Sequence, residues 1–378
     1  MTEAEARAEN AREAVDEPAA EGPDQEAGSR SGREAVDERA AGRHARETAT
    51  GSGREAAGEQ AAGDSGARAH ARDAHGAARE QATEDTPAEA LRPDRLELGE
   101  GIRWTERGIV LVDILAGRLL TAAGSPTEPL RQLVQLPVPL GAVAPVADAP
   151  GSWIAAAGTG MCLLASDGST RWLARPEADA VRPMRMNDGT ADPFGRFWAG
   201  SMAYDADEGR GSLYRVDHDG TVSRVLDGIT VPNGPAFTAD GATMYLADSA
   251  RGMIRRHPVD PATGRLGTPE TFVTVDDGSP DGMVVDVEGA VWVAVWGTGT
   301  VRRYRADGRL DRTLRLPARQ PAGVCLQGDL LHVTTARVGL AAPGPHDGAV
   351  FTVRVDTPGR PADAYRPQVP LPSPAEAS

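Results

Sequence analysis

The chain has 378 residues, 40 basic side chains (all arginine) against 55 acidic ones and a formal charge of −15, which leaves room for two or three average domains or one large β-domain with extensions. No run approaches the ~20 apolar residues of a membrane span, and no basic stripe or basic–aromatic interleaving marks a nucleic-acid surface. Neither a membrane nor a nucleic-acid partner is expected.

Residues 1–90 contain no Phe, Trp, Tyr, Leu or Ile, and Val15 and Val36 are their only branched aliphatics. So few bulky apolar groups cannot offset the entropy of ordering the backbone. With about 21 acidic and about 11 basic residues, this stretch carries roughly −10 of the total charge. "REAVDE" at Arg12 returns at Arg33, and "REAAGE" follows at Arg54, a step of 21 residues or three heptads. Gly and Pro interrupt each copy and no apolar seam is sustained, so the stretch reads as a disordered acidic extension rather than a coiled coil. Its acidic start, "MTEAEARAEN", is followed by no apolar signal core. Cys162 and Cys325 form no CxxC spacing and read as buried free thiols, consistent with a reducing cytoplasm.

From Leu91 the sequence turns into short β-type runs punctuated by Gly, Asp and Pro. Six apolar strand cores open the units: "GIVLVDIL", "SWIAAAG", "RFWAGSM", "TMYLADS", "VWVAVW" and "LLHVTTA". A second strand follows each, opening on Gly117, Gly160, Gly211, Gly252, Gly299 and Gly348, at steps of 43, 51, 41, 47 and 49 residues. Several short strands per unit of ~40–50 residues, with no helical pattern between them, predict a six-bladed β-propeller. "DPFGRFW", "TADGATMY" and "DVEGAVW" supply the positive-φ glycine of tight hairpins. The all-β propeller is placed at 91–365, followed by a Pro-rich tail, 366–378.

Before each strand core lies a glycine: Gly101, Gly141, Gly189, Gly234, Gly282 and Gly323. The residues preceding them are Glu100, Leu140, Asp188, Asn233, Asp281 and Ala322, with Arg185 and Asn187 beside the third. Innermost strands line a propeller's axis, so these positions should ring one mouth of the channel. Converging carboxylate and amide oxygens suit a hard divalent cation. The plain alternative is that "NG" and "DG" are turn dipeptides; recurrence at equivalent positions argues for the ring. Glu100 and Asp281 with Asn233 would leave coordination positions open.

These blocks resemble the senescence marker protein-30/gluconolactonase/regucalcin-like (LRE-type) family of six-bladed propellers. The resemblance spans residues 96–365 and rests on "GEGIRW", "RMNDGTADPFGRFWAGSM", "VPNGPAFTADGATMYLADS" and "SPDGMVVDVEGAVWVAVWGTGTVRRY". It implies that Glu100, Asn233 and Asp281 ligate one divalent metal, calcium foremost, with Zn²⁺, Mn²⁺, Mg²⁺ or Fe²⁺ as alternatives. It also implies that Arg185 and Asn187 contact substrate, and that Asp205 takes the place of a substrate-contacting Glu. Ile102 departs from the family's proline. The implied activity is metal-dependent opening of a small sugar lactone, with Asp281 as general base and Arg185 adding charge. No "GxSxG" is present, and His257 and His332 read as strand or surface residues. A non-catalytic calcium-binding scaffold and a metal-dependent esterase or phosphotriesterase are the competing readings. The protein is expected to be a cytoplasmic monomer or weak dimer.

Overall fold

Among the described residues, twenty-three strands form five four-stranded sheets and one three-stranded sheet, each a simple antiparallel meander in chain order, with one three-residue 3-10 turn beside them. The computed structural model describes residues 88–90, 92–122 and 125–368; most of the extension read as disordered, and residues 369–378 of the Pro-rich tail, lie outside the described residues. The innermost strands are Gly99–Thr105, Leu140–Pro145, Met184–Ala191, Pro232–Phe237, Ser279–Val285 and Pro321–Gln327. Each touches the next, and the sixth touches the first, so the sheets close into a six-bladed propeller. Among the described residues no helix is long and apolar enough to cross a membrane.

The apolar cores that mark the repeat turn out to be the second strands of their blades, such as Phe197–Ala203 and Val291–Trp296. The bulge glycines lie inside the strands that precede them. Among the described residues, six clusters of buried side chains make up the core. Phe197 and Tyr214 of blade three meet Ala142 and Ile154 of blade two, and Trp198 packs on Phe237 and Met244 of blade four. Blades four and five share Tyr245 and Val293, blades five and six Trp292 and Phe351, and blades six and one Cys325 and Leu111. The core is therefore a ring of blade interfaces, and no blade buries its faces alone. Both cysteines are free and buried, and burial pushes each thiol up to about 12.

Two acidic devices, repeated between blades, set the strands. In the turn "DPFGRFW", Asp192 accepts from the backbone N–H groups of Phe194 and Arg196 and from the indole of Trp198 at 3.0 Å. Asp286 does the same for Glu288, Ala290 and Trp292 in "DVEGAVW". Each carboxylate shapes the turn and satisfies a buried Trp N–H that would otherwise cost stability. The second device lies at the end of the second strand. Asp113 accepts from the backbone of Glu97 and Leu98, and Asp248 from that of Thr230 and Val231. These bonds fix the chain just before Glu100 and Asn233.

Closure of the ring uses the start of the described chain. Glu89 exchanges backbone bonds with Thr352 of blade six, at 3.1 and 3.0 Å. This pairing draws residues that composition grouped with the extension into the propeller. At the other terminus the chain crosses several blades, and Arg366 and Gln368 donate to the carbonyls of Gly195 and His218.

Candidate functional site at the axial mouth

Every innermost strand carries an irregularity in its pairing with the second strand, at the same place. The shifts fall between Glu100 and Arg103, between Leu140 and Ala142, opposite Ala199–Ser201, between Asn233 and Ala236, between Pro280 and Met283, and between Pro321 and Val324. A bulge breaks the two-residue alternation and re-aims a side chain. Five of the six glycines, all but Gly189, belong to these bulges and not to hairpin turns. Gly234 sits at φ +47°, and a Cβ there would lie 2.8 Å from the Met283 nitrogen and 3.0 Å from the Asp281 carbonyl. Gly282 likewise approaches the Ala322 carbonyl of the next blade. The strands crowd so tightly at the axis that only glycine fits there.

This crowding revises the reading of blade three. Gly141 abuts the carbonyl of Asn187, as Gly234 abuts that of Asp281. Asn187 and Asp188 together form the bulge of blade three, between Met186 and Gly189, and Asn187 takes the position that Asp281 takes in blade five. Asp188 instead pairs with Arg103 at 3.0 Å and accepts from the backbone of Gly189 and Gly234. It ties strands together and is not a member of the ring.

Glu100, Arg185, Asn187 and Asn233 line one cavity of about 30 Å³, with Tyr204 and Met202. Asp281 is not among its lining residues; it lies in the bulge of the blade-five inner strand and is 1% exposed. A chain of hydrogen bonds orders the polar groups. The Arg185 guanidinium donates to Asn187 Oδ1 at 2.6 Å, and Asn187 Nδ2 donates to Asn233 Oδ1 at 2.6 Å and to the Pro232 carbonyl at 2.9 Å. Asn233 Nδ2 donates to Ser249 Oγ at 2.9 Å, and Ser249 donates to the Pro280 carbonyl at 2.6 Å. The two ends of this chain cannot exchange roles. A guanidinium only donates and a carbonyl only accepts, so both amides have one allowed orientation.

Asp205 lies outside the cavity lining. Its carboxylate pairs with Arg182 at 2.7 Å and accepts from the backbone of Asp207. Tyr204, one residue earlier, reaches the cavity instead. Burial pushes its phenol above the ordinary value, and the charge of Arg185 works against that rise. His257 and His332 lie in strands, and burial lowers each to about 4, which leaves both neutral. Among the described residues no three His, Cys, Asp or Glu side chains gather as a metal site. The groups that could hold a cation are two buried carboxylates, Glu100 and Asp281, and the fixed Oδ1 of Asn233. No thiol or imidazole lines the cavity, which suits a hard ion.

Sequence reasoning did not reach Ser249 or Tyr204. Ser249 was visible only as the end of "TMYLADS", and Tyr204 only as a residue between Met202 and Asp205. No local pattern links either to the axis.

Residues 98–337 match the family described as "SMP-30/Gluconolactonase/LRE-like region". The chain is 34% identical over 274 residues to a 6-deoxy-6-sulfogluconolactonase of Pseudomonas putida, covering 69% of this chain and 92% of that protein. It is 35% identical over 280 residues to a pentonolactonase of Haloferax volcanii, covering 70% and 93%. Among solved structures, a calcium-binding protein, regucalcin, of Agrobacterium tumefaciens superposes with a TM-score of 0.68 at 30% identity, covering 75% of this chain and 98% of that one.

Proposed function

This chain belongs to the SMP-30/gluconolactonase/LRE-like family, and we propose that it hydrolyses a sugar lactone at the axial mouth. The observation that carries the reading is the cavity lined by Glu100, Arg185, Asn187 and Asn233, with its amides locked by the Arg185-to-Pro280 chain. Both lactonase relatives are named for aldonic lactones of different carbon number and substitution, so the supported class is an aldonolactone.

Size decides where the substrate sits. About 30 Å³ holds a water or an ion, whereas even benzene needs a cavity of about 150 Å³. The sugar ring therefore binds at the mouth, with its carbonyl directed inward. Glu100, Asn233 and Asp281 would hold a divalent cation, which when bound supplies Lewis acidity toward the lactone carbonyl. Asp281 accepts a proton from the attacking water as its oxygen bonds to the carbonyl carbon. The ring C–O bond then breaks, and the departing oxygen recovers that proton to give the open hydroxy acid. Arg185 offsets the negative charge that develops on the carbonyl oxygen. Asn187 holds the Arg185 guanidinium in place.

A second reading, a calcium-binding propeller without catalysis, draws on the likeness to a regucalcin described as calcium-binding. One experiment separates the two. The metal-stripped protein is assayed on a panel of aldonolactones and one phosphotriester, with Ca²⁺, Mn²⁺, Zn²⁺ or Mg²⁺ restored singly. Lactone opening that returns with a metal is the expected result. Calcium binding without turnover of any panel member would favour the scaffold, and turnover confined to the phosphotriester would move the activity to another bond.

A further inference from the structure

Ser249 is 3% exposed, sits in the 3-10 turn that follows the second strand of blade four, and touches two blades at once. Its hydroxyl accepts from Asn233 Nδ2 of blade four and donates to the Pro280 carbonyl of blade five, the residue before Asp281. A hydroxyl has one proton. With that proton committed to a carbonyl, Ser249 Oγ can only accept from its other neighbour, so the Asn233 amide must turn its nitrogen toward Ser249. Its oxygen then faces Asn187 and the cavity.

We propose that Ser249 is a positioning residue: it presents Oδ1, not Nδ2, of Asn233 to the axial site and ties that amide to the strand carrying Asp281. The proposal rests on the cation-binding reading above for its consequence, but not for the orientation itself. An amide whose nitrogen is held by an acceptor also has a more electron-rich oxygen, and supports of this kind typically contribute 10–100-fold to metal affinity. Asn187 constrains the other end of the amide, so Ser249→Ala loosens the group without inverting it. The buried Nδ2 is left without its acceptor.

Three measurements on the full chain test this. In metal-free protein, the side-chain amide protons of Asn233 should exchange slowly by NMR, and Ser249→Ala should make them exchange fast. Calorimetry with Ca²⁺ and with Mn²⁺ alone should show affinity falling about tenfold in Ser249→Ala at an unchanged fold. In an Asn233→Asp background both side-chain termini are oxygens and no orientation is needed, so the added cost of Ser249→Ala should shrink severalfold. An equal cost in both backgrounds would make Ser249 a packing residue and overturn the proposal. So would unchanged amide exchange. If the wild type binds neither ion, the cation reading fails, and the exchange measurement alone still decides what Ser249 does.

Discussion

The two ends of the axial channel are built from the same six strands, yet they differ in chemistry. At one end, around the bulges, Glu100, Asn187, Asn233 and Asp281 are buried polar groups, and directed hydrogen bonds hold the two amides. Past the bulges the same strands present mainly apolar groups, Ile102, Ala236, Met283 and Val324, to a cavity of about 70 Å³ that Arg103, Arg360 and Asp363 also line. The C-terminal segment covers that second end: Ala362 donates to the Trp104 carbonyl at 2.7 Å, Tyr365 to that of Pro145 at 2.9 Å, and Arg366 to that of Gly195 at 2.9 Å. The bulge is what separates the two chemistries. It breaks the alternation of side chains once in each strand, so polar groups gather on one side of it while ordinary apolar packing resumes on the other.

If this division holds, damage to one end should affect chemistry and damage to the other should affect stability. The largest effect is expected at Asp281. Asp281→Asn keeps the volume and a carbonyl oxygen but removes the basic one. Lactone opening at saturating metal should fall roughly 10²–10⁴-fold, with metal affinity falling less steeply and the melting temperature little changed. Wild-type turnover in this variant would remove Asp281 from the role of base.

At the covered end the converse applies. Tyr365 is 1% exposed, packs within the cluster that joins blades two and three, and donates to the Asp217 carbonyl at 2.9 Å. Truncating a buried aromatic side chain costs about 3–5 kcal/mol, so Tyr365→Ala should unfold at clearly lower denaturant concentration. Its turnover per folded molecule should match the wild type. A matching loss of turnover under conditions where the protein remains folded would show that the two ends are not separate.

A smaller effect distinguishes two neighbours at the open mouth. Tyr204 lines the cavity, and Asp205 is bound to Arg182 on the rim. Losing one hydrogen bond to a neutral partner costs up to about tenfold, so Tyr204→Phe should raise KM by as much as ~10-fold, and Asp205→Asn by less. The reverse order would return the substrate contact to Asp205, where the family resemblance put it.

How much of this was legible follows from the range of each interaction. The six units were readable because their signals are local: the glycine opening each third strand, and the D-x-x-G-x-x-W turns at Asp192 and Asp286, whose hydrogen bonds span six residues or fewer. Glu100, Asn233 and Asp281 were readable because each precedes a bulge glycine. The innermost strands themselves were not readable as strands, because the bulge destroys alternation and the flanks are buried on both sides. Asp188 was misplaced because Gly189 pairs with Ala199 beyond the bulge, a register that no local pattern in the sequence shows. Ser249 acts through partners 16 and 31 residues away, which no local pattern announces. The covering segment is held by scattered bonds to several blades, most of them from the backbone, and such bonds leave no periodicity in the sequence.

The smallest expected effect compares carboxylates at the two ends. Asp363 lines the covered cavity and pairs with Arg360 at 2.8 Å, yet burial outweighs that partner and raises its carboxyl above the ordinary value of 3.8. A raised folded pKa means that the folded state holds the proton more tightly than the unfolded chain. The resulting stabilisation is complete below about pH 3.8 and is lost as the pH climbs through the folded value. At neutral pH the ionised Asp363 therefore weakens the fold relative to its protonated form. Asp363→Asn mimics that form, and Arg360, which is 32% exposed, can turn to water when its partner is gone. The variant should melt slightly above the wild type at pH 7, and the difference should shrink toward zero as the pH falls to 3.8. Lactone opening should not change, because this carboxylate lies beyond the bulges. A lower melting temperature at pH 7 would show that the ion pair with Arg360 outweighs burial. Loss of activity with the fold intact would show that the covered end takes part in the chemistry, and the comparison of the two ends would then fail.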